Sequence, residues 1–134
     1  QSYDQDLKIS YLGHKNAIKN YLTPVENLEL LFGGDELNVA FDWLNSFGLS
    51  HLQDELTASL SFGQQKKLAL IRVLAQSSDL LVLDEPFVGL DQTTADQINS
   101  FLAQKISQGV GLVLTSHITP MIDCAALDLG ANNA

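Results

Sequence analysis

Apolar and polar positions along the chain fall into two regimes that meet near residue 60. Ile9–Leu12 is a short β-prone stretch closed by Gly13 and predicts the end of a strand. Thr23-Pro24-Val25-Glu26 predicts a helix start. Thr23 can cap it, Pro24 sits where a missing N–H costs nothing, and Glu26 completes a capping box. That helix runs through Leu28 and Leu31 to a stop at Gly33-Gly34. A second begins near Asp35, with Leu37, Phe41 and Leu44 at i, i+4 and i+7, and ends at Gly48. Residues 49–59 are polar and mixed and read as a loop with one short turn. Beyond Ser61 the pattern changes. Leu68, Ile71 and Leu74 recur at helical spacing up to Gln76, with Phe62-Gly63-Gln64 at the mouth of that helix. Leu80–Leu83 is a continuous apolar run, which predicts a strand buried on both faces of a parallel sheet. Ile98, Phe101, Leu102 and Ile106 define a further amphipathic helix stopped by Gly109. Val110–Leu114 reads as a second buried strand and Ala125–Leu129 as a third. Helix, strand, helix, strand from residue 61 onward is α/β alternation.

Composition narrows the classes. At 134 residues the length alone suits one domain. Seven Lys and Arg against sixteen Asp and Glu leave a net charge of −9, with the three histidines counted neutral. That balance argues against a nucleic-acid partner, which selects a basic face. With 46% hydrophobic residues the chain can bury a core, unlike a disordered acidic tail. The single cysteine, Cys124, excludes an internal disulfide framework and reads as a small hydrophobe near the last strand. No apolar run approaches the ~20 residues that span a bilayer. Gln1 to Lys8 are too polar for a signal peptide, so a soluble, cytoplasmic chain is expected. The sequence begins at Gln1 with no Met, and its N-terminus is expected not to be the natural one.

The sharpest chemical signal is Leu80-Leu81-Val82-Leu83-Asp84-Glu85-Pro86. An acidic pair after a strand is commonly a solvated loop. Here a buried run delivers both carboxylates to the C-terminal edge of a parallel strand, where open α/β sheets bind ligands. In that position Asp84 suits a Mg²⁺ ion that bridges nucleotide phosphates, and Glu85 suits activation of an attacking water, as in a Walker B motif. The second signal is Leu60-Ser61-Phe62-Gly63-Gln64-Gln65 at a helix start. Ser61 alone is an ordinary N-cap. With Gly63 permitting close approach, the free N–H groups and dipole of the helix suit an anion. His117 follows the second predicted strand and would by itself be a loop or core histidine; one crossover from Asp84, it reaches an adjacent strand end. His51 receives no role.

Together these motifs resemble the ABC-type ATPases. Leu60–Gln65 is similar to their signature motif, Asp84-Glu85-Pro86 to Walker B with its catalytic glutamate, and Val88-Gly89-Leu90-Asp91 to the D-loop. Ser116-His117 resembles the switch histidine, and Leu22–Leu28 the opening of the helical subdomain. The resemblance covers residues 9–129. It implies a P-loop NTPase (ABC ATPase-like) partial domain of α/β class, a parallel sheet with helices plus an α-helical subdomain. Residues 1–22 would be the strand and loop equivalent to the Q-loop, 23–60 the helical subdomain, and 61–134 the signature helix and α/β core. It implies ATP and Mg²⁺ as cofactors, Asp84 at the metal, and Glu85 and His117 in catalysis. Ser61, Gly63, Gln64, Asp91 and His14 would then meet the nucleotide. His14 stands where the family carries the glutamine of the Q-loop. Phe62 replaces a small residue of the signature, and Lys66-Lys67 stand where arginines are common.

Within the family, Tyr11-Leu12-Gly13-His14, Ile18-Lys19, Leu22-Thr23, Glu26-Asn27-Leu28, Gln64-Gln65 and Asp84-Glu85-Pro86-Phe87 resemble ATP-binding subunits of haem exporters in cytochrome c biogenesis. The resemblance implies a homo- or heterodimer of ATPase subunits on transmembrane transporter subunits. They would sit peripherally on the cytoplasmic face of the inner membrane. No Gly-x-x-x-x-Gly-Lys-Ser/Thr loop occurs in the chain. The expectation is therefore the back portion of a larger domain, beginning after the phosphate loop, with apolar surface left open on one side. The alternatives are a truncated, non-hydrolytic module that lends only its signature motif to a partner, and a soluble ABC ATPase.

Overall fold

The structure, a computed structural model, describes residues 7–13 and 17–115. The predicted strand at Ala125–Leu129, Cys124, His117 and His14 lie outside the described residues. The chain forms two compact units, one drawn from residues 1–14, 77–88 and 92–134, the other from residues 15–76 and 89–91.

The first unit is built on a parallel sheet of β1 (Ile9–Leu12), β2 (Leu80–Asp84) and β3 (Gly111–Thr115), in that order. Asp79 sets the register. Its backbone N–H donates to the Lys8 carbonyl at 2.8 Å, its carboxylate accepts from the Lys8 N–H at 3.0 Å, and its carbonyl accepts from Gly111 N–H at 2.9 Å. The Ser10 and Ser78 hydroxyls bond to each other beside it. Ile9, Leu80 and Gly111 thereby line up, as do Tyr11, Val82 and Val113. Between β2 and β3 runs α4 (Gln92–Ser107), which lies against β3 and buries Ala95, Ile98 and Leu102.

The expectation that β2 and β3 are both buried on two faces needs correction. In β2, Leu81 and Leu83 are buried while Leu80 and Val82 are only half-buried, and β3 follows the same alternation. In β1, Ile9 and Tyr11 are each 54% exposed. Successive side chains point to opposite faces, so a run apolar at every position needs cover on both. Among the described residues only one face has it. The open apolar surface that the sequence leads one to expect is this second face.

The other unit packs three helices pairwise, α1 (Pro24–Leu31), α2 (Gly34–Ser46) and α3 (Phe62–Leu74). α1 begins with the predicted capping box. The Thr23 hydroxyl accepts from Glu26 N–H at 3.0 Å, and the Glu26 carboxylate accepts from Thr23 N–H at 2.9 Å. α2 ends in a left-handed glycine, Gly48 (φ +75°), where Leu49 N–H reaches back to the Leu44 carbonyl and Gly48 N–H to that of Asn45. α4 ends the same way at Gly109 (φ +94°), so in both cases glycine satisfies otherwise orphaned carbonyls. Residues 49–59 hold two 3₁₀ turns, Ser50–Leu52 and Thr57–Ser59, rather than one. α3 is buried almost all round, and burial lowers the pKa of Arg72 in its last turn. Compactness groups α3 with α1 and α2.

Candidate functional site

Two constellations of predicted residues are formed, one in each unit. In the sheet unit, Asp84 is the last residue of β2 and pairs in register with Thr115 at the end of β3. The Thr115 hydroxyl donates to Asp84 Oδ1 at 2.5 Å. That bond engages Oδ1 and restrains the carboxylate, which leaves Oδ2 as the oxygen for a cation or its water. The next residue, Glu85, sits at φ +49°, the one non-glycine with positive φ among the described residues. An L-residue there costs on the order of 1–2 kcal/mol, and such strain collects where function over-determines the backbone. The conformation is pinned on two sides. Glu85 N–H donates to the Thr115 carbonyl at 2.8 Å, and its own carbonyl accepts from Val88 N–H at 3.4 Å. The left-handed turn takes Glu85 out of the alternation of β2, so two consecutive carboxylates are not forced to opposite faces. Both are half-buried.

This donor set fits Mg²⁺. Among the described residues no cluster of three or more His, Cys, Asp or Glu side chains forms a cage. Mg²⁺ typically takes one or two carboxylates and completes its shell with water and phosphate oxygens. Asp84, held by a neutral hydroxyl, has the chemistry such a site asks for.

In the helical unit, Ser61 is the N-cap of α3. Its hydroxyl accepts from Gln64 N–H at 3.1 Å, and Gln64 Oε1 accepts from Ser61 N–H at 2.8 Å. Gln65 N–H takes the Ser61 carbonyl at 2.9 Å. Of the first-turn amides this leaves those of Phe62 and Gly63 for an outside acceptor. The Ser61 hydroxyl still has its proton to donate. Three donors at the positive end of a 13-residue helix can hold a phosphate. Asp91 belongs to this same unit, where it is 60% exposed and pairs with Lys67 Nζ at 3.6 Å. Lys67 also donates to the carbonyl of Phe47 at the end of α2, at 3.3 Å.

Of the residues predicted from sequence, Asp84 and Glu85 come together at the sheet edge, and Ser61, Gly63, Gln64 and Asp91 gather in the helical unit. His14 and His117 lie outside the described residues. Sequence reasoning missed Thr115, whose role depends on the register of β2 and β3, and Lys67, whose partner Asp91 is far along the chain. A threonine closing an apolar strand was the available hint for the first. His51 stays in an exposed 3₁₀ turn.

Comparisons with known proteins point to one family and one fold. A family model described as ABC transporter matches residues 2–88. The cytochrome c biogenesis ATP-binding export protein CcmA of Pseudomonas syringae pv. tomato is 40% identical over 115 residues, covering 81% of this chain and 53% of that protein. The Escherichia coli protein of the same name is 34% identical over 116 residues, covering 87% and 55%. The chain thus spans about half the length of the curated relatives it matches. The solved ATP-binding subunit of an ABC transporter shares the fold with a TM-score of 0.74 at 23% identity, over 83% of this chain and 49% of that one. A dimeric ATP-binding cassette in a post-hydrolysis state, bound to ADP and Pi, gives 0.69 at 26% identity, over 83% and 53%. Among the described residues no helix is long and apolar enough to cross a membrane. With a family model matching residues 2–88, and with solved ATP-binding cassettes sharing its fold, this chain belongs to the ABC transporter family.

Proposed function

We propose that this chain is the part of an ATP-hydrolysing subunit that carries the water-activating carboxylate and the signature helix, and that the intact subunit powers an exporter of the kind used in cytochrome c biogenesis. The observation that carries the proposal is the strand-end pair, with Asp84 fixed by Thr115 and Glu85 turned out at φ +49°. In phosphoryl transfer the protein contributes positioning and electrostatics more than covalent chemistry. Asp84 Oδ2 would hold Mg²⁺ directly or through water. When bound, that ion neutralises charge developing on the β- and γ-phosphate oxygens. Glu85 accepts a proton from, or polarises, the water that attacks the γ-phosphorus. Ser61 and the amides of Phe62 and Gly63 donate to the γ-phosphate held by the opposite subunit of a dimer, with Gln64 and Asp91 beside them. His117 would hydrogen-bond a phosphate oxygen or the attacking water, and His14 would donate toward the metal's water.

An export role in cytochrome c biogenesis is supported by the names of the relatives; haem as cargo, membrane subunits as partners and the cytoplasmic face of the inner membrane as location are what the resemblance of Tyr11–His14 and Asp84–Phe87 implies. Cargo selection would belong to the membrane subunits. The test is turnover in the full-length protein. Glu85→Gln is expected to bind ATP and retain it without hydrolysis, whereas Asp84→Asn is expected to raise the Mg²⁺ concentration needed for binding. Unchanged turnover in Glu85→Gln would sink the assignment of Glu85.

A further inference from the structure

Phe62 stands where the resemblance to the signature motif leads one to expect a small residue. It opens α3 and is 61% exposed, in a place where a small residue is usual and a large apolar side chain gains little from water. The ring has a partner nonetheless. A Cβ built on Gly89 would lie 2.5 Å from Phe62 Cε2 and 2.8 Å from Cδ2, so the ring edge sits directly on the Gly89 backbone. Gly89 is left-handed at φ +83°, and any other residue there would meet both the ring and the strained backbone. The approach is close on the helix side as well. A Cβ on Gly63 would lie 2.7 Å from the Gly89 carbonyl oxygen. Two residues on, Asp91 pairs with Lys67, which is rooted to the end of α2. Gly89–Asp91 accordingly belong to the helical unit, although Val88 before them and Gln92 after them belong to the sheet unit.

We infer that Phe62 is a positioning residue. Its ring seats the Gly89–Asp91 loop on the mouth of α3, so that the loop and the amides of Phe62 and Gly63 form one body. Neither face of the clamp works alone. Lys67, mostly buried, holds the far end of the loop through a 3.6 Å ion pair to the exposed Asp91, and the exposure of Asp91 keeps that contact weak by itself. The ring holds the near end by dispersion against the Gly89 backbone. Its catalytic consequence rests on the nucleotide reading above, because the body it builds is the one offered to the γ-phosphate across a dimer.

The experiment uses the full-length protein and four variants, Phe62→Ala, Phe62→Tyr, Gly89→Ala and the double variant Phe62→Ala/Gly89→Ala. Amide hydrogen exchange at Leu90 and Asp91 is expected to quicken in Phe62→Ala and to stay at the wild-type rate in Phe62→Tyr, which keeps the ring. Phe62→Ala should lower kcat on the order of tenfold, because a loop displaced by about 1 Å spoils alignment. Gly89→Ala should be more harmful with the Phe62 ring present than in the Phe62→Ala background, so that the double variant regains exchange protection relative to Gly89→Ala. Unaltered exchange or unaltered kcat in Phe62→Ala, or a Gly89→Ala effect of equal size in both backgrounds, overturns the inference. Absence of ATP turnover in the wild type would instead defeat the nucleotide reading, and the exchange and double-variant arms would still decide the clamp.

Discussion

Asn27 offers the most searching test of how the helical unit is held together. It lies in α1, 5% exposed, and its side chain ties α1 to the segments before and after it. Oδ1 accepts from Lys19 N–H at 2.7 Å, and Nδ2 faces the Lys19 and Thr23 carbonyls at 3.0 Å each and Thr57 Oγ1 at 3.2 Å. Thr57 is fully buried and ties back in turn, its N–H to the Leu22 carbonyl and its carbonyl to Gln65 Nε2, both at 2.9 Å. Replacement by Leu keeps the volume and removes every side-chain bond. The Lys19 groups can recover water because Lys19 is exposed, and the Thr23 carbonyl keeps Asn27 N–H at 2.9 Å, so Thr57 Oγ1 bears most of the penalty. At about 1 kcal/mol per neutral bond, plus the cost of a stranded buried hydroxyl, Asn27→Leu should cost roughly 2–4 kcal/mol.

Asn27→Asp adds a pH arm with a fixed sign. The carboxylate can still accept from Lys19 N–H but faces two carbonyls with nothing to donate, so the folded state prefers the protonated acid. Its folded pKa lies above the unfolded value of about 3.9, and the variant should be closest to wild type below that pH and lose stability as pH rises toward neutrality. The assay is urea unfolding followed through Trp43, the single tryptophan of the chain, whose ring meets Phe47 with centroids 5.2 Å apart in the same unit. A loss below about 1 kcal/mol for Asn27→Leu, or a deficit in Asn27→Asp that grows as pH falls, would refute the network as the fastener of this unit.

Two further outcomes follow from single contacts. Thr23→Ala removes the capping box of α1 and should cost about 1 kcal/mol in the same urea titration, with Thr23→Ser near wild type. Thr115→Val frees Asp84 Oδ1 and should raise the Mg²⁺ concentration for half-maximal ATP turnover about tenfold, as loss of an outer partner to a metal ligand commonly does. Thr115→Ser should restore it; equal Mg²⁺ requirements in Thr115→Val and wild type would remove Thr115 from the site.

What the chain declares in one dimension and what it withholds divide along the range of the interactions. The starts of α1 and α3 are legible because Thr23 with Glu26, and Ser61 with Gln64, are local chemistry three residues apart. The ends of α2 and α4 are legible in Gly48 and Gly109 for the same reason. Leu80–Leu83 reads correctly as a strand and incorrectly as covered on two faces, since an apolar run reports what a face prefers and not what is there to cover it. Thr57 lies in a stretch that reads as polar loop, yet it is fully buried, because its partners Asn27, Leu22 and Gln65 are brought by tertiary structure. Asp84 and Glu85 announce themselves by following a buried run. The bond from Thr115 and the left-handed backbone at Glu85 depend on strand register and turn geometry, which no local pattern encodes.

The central claim is that the carboxylates Asp84 and Glu85 and the α3 mouth serve one reaction from opposite subunits. Mixing two inactive full-length variants tests it directly. Glu85→Gln removes the base, and Ser61→Asp keeps a good N-cap while setting a negative charge against the phosphate. Each variant alone has no intact site in its symmetric dimer. In a random mixture half the dimers are mixed, and each of those regains one site with Glu85 from one subunit and Ser61 from the other. The account predicts recovery to about a quarter of wild-type turnover in the mixture. Turnover no higher than that of the two variants measured separately would contradict it.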